Sequence, residues 1–158
     1  MSLRRVPLPP EVPGQLWLGA MPGRFQAWSA FEAQAERSGL GLVVCLTPRT
    51  EVAELSPQYH AAVVAGRMPF RWQQLAMRNF GVPEDAAAFR RGIADVASAL
   101  RAGEAVLLHC AAGIGRTGTA AACVLKSLGL DTTTALQRVR DAGSNPQNAE
   151  QSGVVEWF

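Results

Sequence analysis

The spacing of hydrophobic positions along the chain predicts strands that alternate with helices. Apolar runs at residues 42–46 and 105–109 are typical of short strands that are buried on both faces of a sheet. The clearest predicted helix has an apolar residue every three or four positions, at Phe89, Ile93, Val96 and Leu100. Because strands alternate with helices, we expect one α/β domain with a central, mostly parallel, twisted sheet and helices on both of its faces.

Turn-forming residues bound the other predicted elements. Further strands are predicted at residues 15–20 and 70–76. Further helices are predicted at residues 28–37, 57–65, 117–128, 132–142 and 148–157. Residues 1–14 contain four prolines and predict an extended arm, which precedes the domain proper at residues 15–158.

The composition narrows the classes of function. The chain has 158 residues, of which 48% are hydrophobic, and a formal net charge of +2. This balance is typical of a globular domain, and it gives no basis for binding nucleic acid. No apolar run is long enough for a membrane span, and the N-terminus lacks the apolar core of a signal peptide. We therefore expect a monomeric, cytoplasmic protein with no membrane or nucleic-acid partner.

The segment that follows the strand at residues 105–109 carries the candidate chemistry. Cys110 begins a glycine-bearing loop, which runs into Arg116 and Thr117 at the start of a predicted helix. The residues between them are Ala111, Ala112, Gly113, Ile114 and Gly115. Backbone amides of such a loop, together with the helix N-terminus, form an anion site that binds phosphate and stabilises a thiolate.

The side chains around this loop have complementary candidate roles. Cys110 is the expected nucleophile, and the guanidinium of Arg116 can hold two phosphate oxygens. Thr117 can donate its hydroxyl to the sulfur when the sulfur becomes a leaving group. His109 is expected to fix the loop and to add to the stabilisation of the thiolate. A buried cysteine is more often a small hydrophobic residue, but this combination between a strand and a helix favours catalysis.

The motif His-Cys-Ala-Ala-Gly-Ile-Gly-Arg-Thr at residues 109–117 resembles the signature loop of the cysteine-dependent protein tyrosine phosphatase superfamily. The short chain resembles its compact, atypical dual-specificity branch. Residues 16–23, 42–51 (which include Glu51) and 143–151 are similar to further segments of such domains. The resemblance implies hydrolysis of phosphate monoesters through a phosphocysteine, with water positioned by Gln147 and with no metal or cofactor.

The resemblance also implies a phosphoprotein or phosphopeptide as the substrate. Members that act on phosphoinositides usually carry basic residues inside the loop, and none lies between Cys110 and Arg116. Phosphotyrosine is therefore the first expectation. A shallow pocket in a short domain would also admit phosphoserine and phosphothreonine.

The chain departs from the family at the general acid. Asn79 stands where the family has an aspartate, and Arg78 stands where it has a proline. An amide has no titratable proton to give to the leaving group. Three interpretations stay open. The first is an engineered Asp-to-Asn change that makes a substrate trap, and the second is that Glu84 or Asp85 acts as the general acid from a shifted loop. The third is a phosphatase that works only on substrates with good leaving groups, such as aryl phosphates. Asp85 equally suits a charge at a helix N-terminus. The alternative function is a phosphate-binding pseudophosphatase.

The three cysteines are Cys45, Cys110 and Cys123, an odd number that favours a reducing compartment over a disulfide framework. Cys45 is either a core thiol or a partner that protects Cys110 from over-oxidation by forming a disulfide. A sulfur- or arsenate-handling enzyme would also need a second thiol near the loop, for which Cys45 is the candidate. Cys123, among alanines, is expected to be a core residue.

Overall fold

The structure is a computed structural model that describes residues 3–158, and it contains a five-stranded sheet flanked by helices. The strands are β1 (Arg4–Val6), β2 (Gln15–Gly19), β3 (Leu40–Cys45), β4 (Arg71–Gln74) and β5 (Ala105–His109). The helices are α1 (Trp28–Arg37), α2 (Arg49–Leu55), α3 (Pro57–Ala65), α4 (Ala86–Arg101), α5 (Gly115–Ser127), α6 (Thr132–Asp141) and α7 (Ala149–Trp157). The predicted α/β fold is therefore confirmed.

The sheet has the strand order β1-β2-β5-β3-β4, which places β5 at its centre. Strands β2, β3, β4 and β5 run parallel, whereas β1 pairs with β2 in the antiparallel direction. In this register His109 lies between Gly19 of β2 and Cys45 of β3. The loop after β5 therefore emerges at the middle of the carboxyl edge, where ligands bind in open α/β sheets.

Helices cover both faces of the sheet, as the hydrophobic pattern predicted. Alternate residues of β5 pack to opposite sides: Leu108 joins the cluster under α4–α7, and Leu107 joins the cluster under α1. Helix α4 buries the predicted apolar stripe at Phe89, Ile93, Val96 and Leu100. The chain turns after α4 at Gly103, whose φ of 91° is accessible to glycine but strained for other residues.

Two elements differ from the sequence-based expectation. Residues 4–6 of the predicted arm form β1, because their backbone pairs with β2 over three residues, Arg4 opposite Leu18 among them. Residues 1 and 2 of that arm lie outside the described residues. The second difference is α2, a seven-residue helix that the pattern did not predict. Both elements carry side chains that reach the candidate site.

Candidate active site

Cys110 lies at the buried end of the loop that joins β5 to α5. Its side chain is 3% exposed. The sulfur accepts a hydrogen bond from the backbone N–H of Gly113 at 3.2 Å and another from the hydroxyl of Thr117 at 3.1 Å. These two donors, together with the N-terminus of α5, surround the sulfur with positive dipoles that stabilise an anion.

Gly113 allows the loop to turn this tightly. Its φ is 78°, and a Cβ at this position would lie 2.6 Å from the backbone of Gly19 on β2. Only glycine meets both conditions without strain, because it has no Cβ and tolerates a left-handed backbone. The loop therefore packs directly against the backbone at the end of β2.

His109 is held beneath the loop by a chain of hydrogen bonds. The indole N–H of Trp72 donates to the hydroxyl of Tyr59 at 2.7 Å, and that hydroxyl lies 2.7 Å from Nε2 of His109. Since indole nitrogen can only donate, the Tyr59 hydroxyl directs its own proton to Nε2. The imidazole proton is then on Nδ1, which donates to the carbonyl of Cys110 at 3.2 Å.

His109 is consequently a neutral residue in this fold. Complete burial, with a smaller contribution from the charge of Arg116, lowers its pKa to about 4 and outweighs the opposing hydrogen bond to Cys110. It fixes the loop, as expected, but it brings no positive charge to Cys110, because the protonated form is disfavoured. Its ring packs on Tyr59 beneath the loop and does not line the pocket above Cys110, so its position is a supporting one rather than that of a substrate-binding residue.

Arg116 is held in place by an ion pair that the local motif does not contain. Its guanidinium donates to both carboxylate oxygens of Glu51 on α2, at 3.0 and 2.7 Å. It also donates to the carbonyl of Met77 at 3.0 Å and to the side-chain oxygen of Asn79 at 3.4 Å. Such a bidentate pair fixes the plane of the guanidinium before an anion arrives.

A pocket of about 480 Å³ opens above Cys110. Its lining residues are Arg24, Glu51, Glu54, Leu55, Asn79, Phe80, Cys110, Ala111, Ala112, Gly115, Arg116 and Gln147. The structure therefore brings Cys110, Arg116, Asn79 and Gln147 together, as the sequence predicted. Arg24 closes one side and donates to the carbonyl of Ala111 at 3.0 Å. The lining also contains four residues that were not predicted, because nothing in their local sequence marks them: Arg24, Glu54, Leu55 and Phe80.

Gln147 and Asp85 differ in their position relative to the pocket. Gln147 lies against Gly115, whose missing Cβ leaves room for the Gln147 side chain. Asp85 caps α4, and its carboxylate accepts the backbone N–H of Ala88 at 3.0 Å. It lines a separate crevice together with Glu84 rather than the pocket above Cys110. This position corresponds to the helix N-terminal interpretation of Asp85.

The other two cysteines are buried, and all three are free thiols. Cys45 packs with Met21, Val52 and Tyr59, whereas Cys110 belongs to the cluster on the opposite face of the sheet. Burial raises the pKa of Cys45, which disfavours the thiolate that disulfide exchange requires. Cys123 lies in the core, and burial raises its pKa to about 12.

Among residues 3–158, no three His, Cys, Asp or Glu side chains are arranged to hold a metal ion. Within the same residues, no helix combines the length and the apolar character that crossing a membrane requires.

Solved structures with the same fold include several phosphatases. A kinase-associated phosphatase with serine in place of its catalytic-site cysteine has a TM-score of 0.87 at 18% identity, over 100% of this chain and 93% of its own. Tk-PTP in its active form has a TM-score of 0.72 at 22% identity, over 94% and 95%. PTPMT1 in complex with PI(5)P has a TM-score of 0.69 at 20% identity, over 90% and 88%.

Sequence comparison defines the family. No curated protein sequence matches the chain. A family model does match: the one described as "PTP-SAK: Swiss Army Knife protein, DSP-PTPase phosphatase domain" covers residues 16–153, nearly the whole chain. This match confirms the resemblance drawn from the motif at residues 109–117. The chain belongs to the Swiss Army Knife DSP-PTPase phosphatase domain family and has the fold of the compact dual-specificity phosphatases.

Proposed function

We propose that this domain hydrolyses phosphoprotein monoesters through a phosphocysteine intermediate, with phosphotyrosine as the preferred substrate and without a metal. The observation that carries this proposal is the sulfur of Cys110. It lies at the base of a pocket, accepts hydrogen bonds from Gly113 and Thr117, and shares that pocket with the guanidinium of Arg116. A nucleophile surrounded by anion-binding groups is the arrangement that phosphoryl transfer to sulfur requires.

In the first step the thiolate of Cys110 attacks phosphorus. The S–P bond forms while the bond from phosphorus to the leaving oxygen breaks, and that oxygen takes a proton from an acid. Arg116 and the loop amides stabilise the equatorial oxygens as charge redistributes. Because Glu51 already orients the guanidinium, little reorganisation is needed at that moment.

In the second step water attacks phosphorus and the S–P bond breaks, which releases phosphate and restores the thiolate of Cys110. The hydroxyl of Thr117 donates to the departing sulfur and stabilises its charge. Gln147 lies at the pocket wall beside Gly115, where its amide can orient the attacking water. The conjugate base of the acid accepts the proton that this water loses.

The proton donor of the first step has two candidates. Glu54 is exposed and lines the pocket, and its carboxylate makes no hydrogen bond with any described side chain. Glu51 also lines the pocket, but its carboxylate is bound to Arg116. The sequence-based candidates Glu84 and Asp85 line a separate crevice, and Asp85 would have to leave its cap on α4 to reach the leaving oxygen. We therefore propose Glu54 as the donor and Asp85 as the alternative.

The rim of the pocket supports a preference for phosphotyrosine. Phe80, 59% exposed, and Leu55 line it and offer apolar surface to an aromatic ring. The loop residues that line the pocket between Cys110 and Arg116 are Ala111, Ala112 and Gly115, so the loop has no lysine to attract a more highly charged inositol phosphate. Because a thiolate nucleophile must stay reduced, we place the protein in the cytoplasm, where it acts as a monomer.

The experiment is hydrolysis of p-nitrophenyl phosphate together with calorimetric binding of inorganic phosphate. Cys110→Ser should abolish turnover and retain phosphate binding, whereas Cys123→Ser, a core thiol in α5, should retain both. Phosphotyrosine peptides should have a higher kcat/KM than phosphoserine peptides or phosphoinositides. Residual turnover by Cys110→Ser near the wild-type rate would contradict the mechanism.

The proton donor is identified by comparing aryl with alkyl phosphates. Glu54→Gln should slow alkyl phosphates by about 10²-fold or more and p-nitrophenyl phosphate little, because p-nitrophenol leaves without protonation. Asp85→Asn is a matched control, since asparagine caps helices as well as aspartate does. Selective loss of alkyl turnover in Asp85→Asn instead would assign the role to Asp85.

A phosphate-binding pseudophosphatase is the second candidate, and Asn79 is the observation that favours it. Its amide oxygen accepts from Arg116 at 3.4 Å, at the position where the family has its acid. The two functions separate in the same assay. Phosphate binding without release of p-nitrophenol between pH 5 and 7 would establish the pseudophosphatase.

A further inference from the structure

Strand β1 brings an arginine to the back of the phosphate-binding loop. Arg4 donates through Nη2 to the carbonyl of Gly113 at 2.6 Å. Through Nη1 it donates to the carbonyl of Ala142 and to the hydroxyl of Ser144, the latter at 2.9 Å. Ser144 in turn donates to the same Gly113 carbonyl at 2.6 Å. Both lone pairs of that carbonyl oxygen are thus engaged.

These contacts determine the direction of the next amide. In a trans peptide the carbonyl of Gly113 and the N–H of Ile114 point in opposite directions. Arg4 does not line the pocket, so it draws the carbonyl to the side of the loop that faces away from the pocket. The N–H of Ile114 is consequently turned to the pocket side, where an anion would accept it.

The charge of Arg4 acts on the same loop. Arg4 is half-buried, and burial lowers the pKa of its guanidinium while the nearby charge of Cys110 raises it. An arginine nevertheless stays protonated at physiological pH. The guanidinium therefore bonds to the loop and adds a fixed positive charge close enough to interact with Cys110. Its neighbour Arg5 is exposed, and its guanidinium makes no hydrogen bond with any described residue.

We propose that Arg4 is a positioning residue that holds the Gly113–Ile114 peptide in its anion-binding orientation, so that β1 is a working part of the phosphatase site. This inference rests on the proposed function of the loop. It assigns to the N-terminal strand a role in phosphate affinity beyond its place at the edge of the sheet.

The test compares Arg4→Gln and Arg4→Lys with Arg5→Gln, a matched control on the same strand. Calorimetry gives the Kd of inorganic phosphate, thermal unfolding gives Tm, and p-nitrophenyl phosphate gives kcat and KM. Arg4→Gln should weaken phosphate binding about tenfold and raise KM, the size expected for one lost hydrogen bond from a charged donor. Arg4→Lys keeps the charge and should recover part of the affinity. Arg5→Gln should match wild type.

The inference is overturned if Arg4→Gln lowers Tm but binds phosphate as wild type does. If Arg4→Gln does not fold, the same decision rests on Arg4→Met, which keeps the apolar stem and removes the donors to Gly113 and Ser144; wild-type phosphate affinity in that variant would overturn the inference. If Arg5→Gln weakens phosphate binding equally, the inference is also overturned, because the effect would then come from a less stable strand rather than from the contacts of Arg4. The two proposals fail separately. If the wild-type protein binds phosphate but does not hydrolyse p-nitrophenyl phosphate, the proposed catalysis is wrong. The role of Arg4 is still tested in that case, because it depends only on the phosphate Kd of the Arg4 variants.

Discussion

The neutral imidazole of His109 makes the folded state sensitive to acid, and its pKa gives the size of the effect. The pKa is lowered to about 4 in the folded protein, from an ordinary value of about 6.5 in the unfolded chain. The unfolded chain therefore binds more protons between these two values. The stability that His109 contributes is complete above about pH 6.5 and is lost as the pH falls towards 4.

The magnitude follows from the two pKa values. Linkage gives a loss of about 2 kcal/mol between pH 7.5 and pH 5, and about 3 kcal/mol by pH 4. For a domain of this size, 2 kcal/mol corresponds to a fall in Tm of roughly 4–8 °C. The physical cause is the complete burial of the imidazole, which disfavours its charged form, and the nearby charge of Arg116 acts in the same direction.

The assay is urea unfolding followed by tryptophan fluorescence between pH 4.5 and 7.5. His109→Asn removes the titrating ring and leaves the carboxylates in place, so the free-energy difference between wild type and variant isolates His109. That difference should shrink by about 2 kcal/mol from pH 7.5 to pH 5. His60→Gln, which changes the only other histidine, should follow wild type. A difference between wild type and His109→Asn that is independent of pH would refute the reasoning.

Three further substitutions test contacts around the pocket. Tyr59→Phe leaves nitrogens of Trp72 and His109 without their partner and should reduce the free energy of unfolding by about 1–3 kcal/mol in urea titrations; an unchanged value would contradict the hydrogen-bond chain. Glu51→Gln should lower kcat/KM about tenfold with p-nitrophenyl phosphate, because Arg116 loses its charged partner, and full activity would show that the pair is dispensable. Phe80→Gly removes a residue with φ of 58°, so it should raise stability by up to about 1 kcal/mol and raise KM for phosphotyrosine peptides; wild-type KM would exclude Phe80 from the rim.

Most of the fold was predictable because its signals are local. Helix α4 repeats its apolar residues at helical spacing, and β5 is a short apolar run that glycine and the loop bound on either side. Strand β1 gives no such signal: Arg4 and Arg5 resemble an exposed arm, and only backbone pairing with β2 makes these residues a strand. Helix α2 has seven residues and no side-chain cap at Pro48, so its sequence resembles a polar connection.

The candidate site was predictable to the same extent. Cys110 and Arg116 lie in one short loop, whose residue types and spacing already specify anion binding. The groups that support this loop come from distant parts of the chain, 109 residues away for Arg4 and 65 for Glu51. No spacing rule connects positions so far apart. Glu54 and Tyr59 were missed for the same reason, since only the fold brings their helices to the pocket and to His109.

The ion pair between Arg116 and Glu51 has a consequence for how substrates reach the pocket. The lining holds two arginines, Arg24 and Arg116, and two glutamates, Glu51 and Glu54, whose formal charges cancel. A phosphorylated substrate is therefore drawn in by little long-range attraction, and its association should depend only weakly on ionic strength. The protein recognises the phosphate group only after contact, when the backbone N–H groups of the loop take the place of the water molecules that hydrate it. Encounter is then governed by diffusion and by the shape of the rim rather than by the field of the protein.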